Sequence, residues 1–245
     1  MGRYWPLATI TVLSLVAIFS LAPLPQDQSY HQFAGEKELF GLVNFWNVIS
    51  NIPFLLIGLA GIGLCARACE FEARLSWLVF FIAVTLVAFG SIWYHLHPDD
   101  MTLVWDRLPM AVGFMALFVA LLSEYVDFRA QKTLLLPCVA LGVGAVFLWG
   151  MSGDLRLYVW VQLFPLLIIV ILLLFYKSRY PQKAYIAAAL GLYVLAKGLE
   201  LADHQIYELN GQLFAGHPLK HLVAAAGITL LYKMLKERKR AAGLE

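Results

Sequence analysis

The sequence predicts an all-α integral membrane protein. Two observations carry this: 61% of the 245 residues are hydrophobic while only 14% are charged, and the apolar residues run in unbroken blocks instead of lying along one helix face. Such a composition belongs to polytopic membrane proteins and excludes an ordinary soluble domain. The segments between blocks are short and leave no room for a separate soluble domain. The formal net charge of +2 says little; its distribution says more.

Apolar blocks of about 17–25 residues are long enough to cross a bilayer as helices. Eight such spans are expected, at roughly 6–24, 45–66, 75–97, 104–123, 132–150, 156–176, 183–203 and 217–235. The first follows Met-Gly-Arg3 and runs to Ala22, a pattern shared with signal peptides. No small-x-small cleavage site follows, so residues 1–26 are read as an N-terminal transmembrane helix or signal-anchor. Residues 27–43 form an outer-side loop, and 236–245 a basic cytoplasmic tail.

Orientation follows from Lys and Arg in the short loops. With the N-terminus inside, the inner loops and tail hold thirteen of the 18 basic residues. Lys37, Arg107, Arg156, Lys197 and Lys220 remain, spread over outer loops and helix ends. This topology brings Ser91 and His95, Asp106, the stretch Glu200-Leu-Ala-Asp203-His204, and His217 with His221 to the outer half of the membrane. No comparable polar group is expected on the inner side.

Ionisable residues inside a membrane are costly and mark functional sites. On a helix, residues four apart share a face, so His217 and His221 can reach one metal ion together. Ser91 and His95 share a face by the same spacing. Pro218 suits a first helical turn, which puts His217 at the start of its helix. Three neutral imidazoles leave one position of tetrahedral zinc open for water, as in catalytic rather than structural sites, and such a water has a pKa of about 7. Asp106 could accept that water's proton and pass it to a leaving amine, and the Ser91 hydroxyl could donate to an oxyanion. Taken singly, Ser91 could instead bond back to its own helix. Asp106 could be a helix N-terminal acid or a partner of Arg107. His31 and His97 read as interfacial residues bonded to backbone or lipid. Cys65 and Cys69 are four apart, not a C-x-x-C pair. With Cys138 they are expected to face lipid or neighbouring helices.

Ser91-x-x-x-His95, Asp106-Arg-Leu-Pro-Met110 and His217-x-x-x-His221 together resemble the alkaline ceramidase family and the wider CREST superfamily. That superfamily also holds the adiponectin/progestin receptors and lipid remodelers of GPI anchors. Asn44-Phe-Trp-Asn-Val-Ile-Ser-Asn51 resembles the ceramidase segment that opens the first core helix, and the likeness runs from about Asn44 to about Tyr232. The resemblance implies a seven-helix CREST-type core over 44–235, with the N-terminal helix as an addition. It implies zinc-dependent cleavage of the amide bond of ceramide-like lipids. In that reading His95, His217 and His221 bind the metal, Asp106 transfers protons and Ser91 steadies the oxyanion.

Asn44 stands where the family's eukaryotic members carry a calcium-binding glutamate, and Gln26-Asp-Gln-Ser-Tyr-His-Gln32 holds a single acid. Asp27, Glu36, Glu38 and Asn47 could still offer oxygens to calcium, but the departure weighs against it. The acids Glu200 and Asp203 could orient a zinc-bound histidine, cap the seventh helix or line a polar entrance. His204 is a candidate substitute ligand, and Lys220 is expected to face headgroups. The expected partners are the bilayer and a ceramide-like lipid, with no nucleic acid and no obligate protein. Alternative readings are a zinc-containing lipid-binding or receptor-like protein without efficient turnover, an ester-cleaving lipid hydrolase, or a haem protein with histidine axial ligands. Short loops and compact size point to a bacterial inner-membrane protein with its site toward the periplasm.

Overall fold

The computed structural model of the chain describes residues 4–67 and 73–241. Among these residues the chain is helical, and its extended pairing is one isolated bridge, Leu39 to Leu42. The α-helices are α1 (Trp5–Ser20), the short α2 (Phe45–Ile49), α3 (Ile52–Arg67), α4 (Arg74–Leu96), α5 (Asp100–Tyr125), α6 (Ala130–Ser152) and α7 (Arg156–Phe175). They are followed by α8 (Lys183–Leu201), the short α9 (Asp203–Leu209) and α10 (Gly216–Ala241). Among the described residues, six spans are long and apolar enough to cross a membrane: Phe45–Arg67, which takes in α2 and α3, and α4 to α8. The protein is an all-α, multi-pass membrane protein.

Two of the eight expected spans differ from this set. The first is only 16 residues long, because Pro23 and Pro25 hold the residues before them extended and the helix stops at Ser20. The last has 26 residues, but its first turns carry His217, Lys220 and His221 and its C-terminal end is charged. The N-terminal helix packs on the core: Trp160 Nε1 donates to Ser14 Oγ at 2.9 Å. Beyond it, Arg156 Nη1 donates to Leu21 O at 2.7 Å and Leu155 N to Leu24 O at 2.8 Å. Asp154 accepts from Leu24 N, and its hydrogen bonds from Arg156 hold its carboxyl down to about 2.

Small residues set the close helix contacts, as is usual in membranes. A Cβ added at Gly58 would lie 2.3 Å from Thr85 Oγ1, and one at Gly61 would enter the Phe81 ring. Behind these contacts Trp77, Phe81, Leu103, Met115, Ile168 and Met234 fill the core. The second span is broken because Pro53 has no N–H for the Ile49 carbonyl, and the chain turns at Ser50 and Asn51.

The end of the bundle opposite the histidines, expected on the inner side, corrects one expectation. A buried polar cluster does gather there: Arg238 Nη1 and Trp77 Nε1 both donate to Glu124 Oε1 at 2.8 Å. Arg238 also lies 4.1 Å from the Tyr180 ring centroid. Arg238 falls in the stretch expected to be a basic tail, but α10 continues to Ala241 and carries its side chain onto Glu124. Cys65 is fully buried and Cys138 half-buried, while Cys69 lies outside the described residues.

Candidate metal centre and active site

The fold brings His95, near the end of α4, to His217 and His221 in the first two turns of α10. One ligand atom from each lies within 4.8 Å of the others, and all three residues are buried. Ring centroids are 4.9–5.1 Å apart. This is the only group of three or more potential metal-ligating His, Cys, Asp or Glu side chains among the described residues.

Two ring nitrogens, His95 Nδ1 and His217 Nε2, are buried with no hydrogen-bond partner. Each such orphan costs about 1–3 kcal/mol. A metal ion would satisfy both at once, so the residues present fit one. His221 is held differently. Ser50 Oγ lies 2.7 Å from His221 Nδ1 and 3.1 Å from the Asn47 carbonyl. A hydroxyl has one proton; donated to Asn47, it leaves Ser50 to accept from Nδ1–H, so the Nε2 lone pair is free.

The segment between α1 and α2 lies across the site as a strap. Phe33 packs edge-on to His95 and His217, with centroids 4.7 and 4.6 Å away. Asp203 joins strap to helix, accepting from Ala34 N at 2.9 Å and from His217 N at 2.6 Å. Gly216 permits this: a Cβ there would lie 2.2 Å from the Leu199 carbonyl. Asn44 sits in the left-handed region at φ 50°, which asparagine tolerates, and its Nδ2 donates to His95 O at 3.0 Å.

Ser91 and Asp106 meet through a second close approach. Pro109 lies inside α5 and has no N–H for the carbonyl of Trp105. That carbonyl lies against Gly90, where a Cβ would be 2.2 Å from it. The next residue, Asp106, is brought beside Gly90 by the same approach and lines one cavity with Ser91. Asp106 does not open its helix, as the sequence pattern implied. A capping box between Asp99 and Thr102 starts α5 at Asp100, so Asp106 lies nearly two turns inside and is buried.

Ser91, Asp106 and His221 line one cavity of about 200 Å³. An apolar chamber of about 180 Å³ adjoins it, sharing Phe54, Val87, Met110, Tyr193 and Ala224. Lys220 faces this cavity and not the headgroups: its Nζ lies 2.5 Å from Glu200 Oε1, and Lys197 pairs with the same carboxylate. Tyr30 donates to Glu200 at 3.0 Å. Burial and the neighbouring carboxylate push the Tyr30 phenol well above its ordinary range, so it stays a donor.

The other histidines stay outside the triad. His31 bridges the Tyr94 hydroxyl at 3.0 Å and Asp100 at 3.1 Å. His97 packs on Trp93, and His204, exposed, reaches only the Gln32 carbonyl at 3.2 Å. Asp27 caps a short 3-10 turn through Ser29 N, Glu36 and Glu38 are exposed, and Asn47 is buried. The sequence reading missed Ser50 and Phe33. The proline three residues after Ser50 was a usable signal for a break there; nothing in the pattern pointed to Phe33.

A buried histidine triad that could hold a metal ion, with an acid, a serine and an apolar chamber close by, sits inside a membrane-spanning helical protein. A family model described as ceramidase matches residues 41–196, and the chain belongs to the ceramidase family. Membership makes it, in class, a hydrolase of amide bonds acting on a ceramide-like lipid. No curated protein matches the chain. The matched stretch includes Ser91, His95 and Asp106 and ends before His217 and His221, which reach the site by geometry.

Proposed function

We propose that the protein cleaves the amide bond of ceramide-like membrane lipids using zinc held by His95, His217 and His221. The convergence of these three imidazoles, two with buried unpartnered nitrogens, carries the reading. Zinc in a three-histidine site supplies a Lewis acid and lowers the pKa of water to about 7.

The remaining work falls to this chain's own groups. Asp106 takes up the proton of the attacking water and delivers it to the amine nitrogen as the C–N bond breaks. Ser91 donates to the carbonyl oxygen as negative charge builds there. Ser50 and Asp203 hold His221 and His217 in place, and Phe33 with the strap keeps bulk water from the outer face. The lipid enters sideways between helices, with its chains in the apolar chamber. The catalytic core spans 44–235. The active site faces the periplasmic side of a bacterial inner membrane and the C-terminus the cytoplasm, a reading supported by the concentration of Lys and Arg in the inner loops.

The test pairs metal analysis with turnover. Purified protein is expected to hold about one zinc per chain, lost in His221→Ala, and to release fatty acid from fluorescent ceramide, with the loss of that activity in Asp106→Ala. Wild type without metal would sink the zinc reading. Zinc present, but wild type and Asp106→Ala equally inert over a broad lipid panel, would leave a receptor-like lipid-binding protein. Faster cleavage of matched esters than amides would reassign the bond.

A further inference from the structure

Arg107, beside Asp106 in sequence, lines the same cavity. It is 7% exposed. Its guanidinium carbon lies 4.3 Å from the Trp149 ring centroid, 4.9 Å from Tyr158 and 5.5 Å from Tyr30. Nη2 donates to Gln26 Oε1 at 2.7 Å, while Nη1 is buried without a partner. No carboxylate pairs with it among the described residues.

A purely structural arginine in this setting would use all its donors, because an unpaired buried charge is far costlier than an unpaired neutral group. Aromatic faces and one neutral amide compensate Arg107 only in part. The wall as a whole has the same imbalance. Arg107, Lys197 and Lys220 are cationic, whereas Asp106 and Glu200 are the acids, and Glu200 is already shared by both lysines. A ceramide headgroup carries hydroxyls and no charge. An anionic oxygen would complete the guanidinium with a charge-assisted hydrogen bond and offset the surplus.

We propose that Arg107 is a specificity residue that binds an anionic group on the headgroup of an N-acyl lipid, so that the cavity prefers anionic N-acyl lipids to neutral ceramide. This rests on the reading of the cavity as the lipid site and adds the class of headgroup. The three aromatic faces orient the guanidinium plane, and Gln26 of the strap fixes one edge. Phosphate and carboxylate headgroups share the chemistry required.

The experiment measures equilibrium binding to the full-length protein in detergent. The probes are fluorescent ceramide, its 1-phosphate and an N-acyl serine with the same acyl chain; inorganic phosphate serves as a soluble competitor. At least tenfold tighter binding of one anionic lipid than of ceramide is expected, about 1.4 kcal/mol. The ratio should fall toward one in Arg107→Met and survive in part in Arg107→Lys. Equal wild-type affinities for all three lipids overturn the proposal, whether or not the variants fold. A preserved ratio in a folded Arg107→Met protein overturns it too. So does displacement of the anionic lipid by inorganic phosphate at matched concentration, which would make free phosphate the ligand. Anionic preference without turnover of any lipid would defeat the hydrolase reading and leave this one standing; turnover without preference would do the reverse.

Discussion

The Ser50 hydroxyl bridges His221 Nδ1, 2.7 Å away, and the Asn47 carbonyl, 3.1 Å away. A helix break therefore sets the tautomer of a candidate metal ligand. Residues that orient ligating imidazoles typically change metal affinity by about 10–100-fold when removed. Ser50→Ala should weaken zinc retention by that order, measured against a graded series of chelators. Unchanged retention would mean that the break has no part in holding the metal.

Asp203 uses both carboxylate oxygens, one on the strap and one on α10. In Asp203→Asn one of them becomes an amide nitrogen facing an N–H donor. A loss of about 1–3 kcal/mol is expected, read as a lower Tm, together with faster proteolysis within residues 27–43. A destabilised protein whose strap stays protected would show that other contacts hold the strap.

Gly90→Ala forces α4 away from α5, since the new Cβ would meet the Trp105 carbonyl at 2.2 Å. Ser91 and Asp106 then separate. Misplacement of reacting groups by about 1 Å can cost roughly 10²-fold in rate, so ceramide turnover should fall by about that factor. Gly63→Ala, where the added atom meets nothing within 4 Å, is the control and should turn over lipid normally. Equal rates in the two variants would remove the close approach from the mechanism.

At the opposite end, the Glu124–Arg238 pair is almost fully buried. Removing one partner of such a pair costs about 3–5 kcal/mol, whereas replacing both with apolar residues is often neutral. Arg238→Met should be strongly destabilised in chemical denaturation, and Glu124→Leu combined with Arg238→Met should recover much of the loss. Zinc content of the folded fraction should match wild type, because the pair lies away from the triad. Failure of the double variant to recover would point to the other contacts of Glu124.

The helical membrane class, the approximate spans and the three histidines were all legible in the sequence. Hydropathy runs and the spacing of four between His217 and His221 are local properties that survive any rearrangement of neighbours. The proline-rich end of the first apolar run was equally local, yet its effect on helix length went unread. The early start of α5 had its cap written in Asp99 and Thr102. The burial of Arg238 was not legible because charge pattern alone does not tell a basic tail from a helix that continues and packs its end on a buried glutamate.

The sequence by itself determined what kind of protein this is and which residue types the site would use, because burial in lipid and helical periodicity act along a single segment. Only the tertiary structure decided that Ser50, Phe33 and Asp203 support the histidines, that Lys220 faces inward onto Glu200, and that Arg107 stands in the cavity wall with a donor to spare. Those relationships depend on which helices approach closely. That is set by glycines meeting carbonyls on other helices, at Gly90 against Trp105 and Gly216 against Leu199, and such packing between distant segments leaves no periodic trace in the chain.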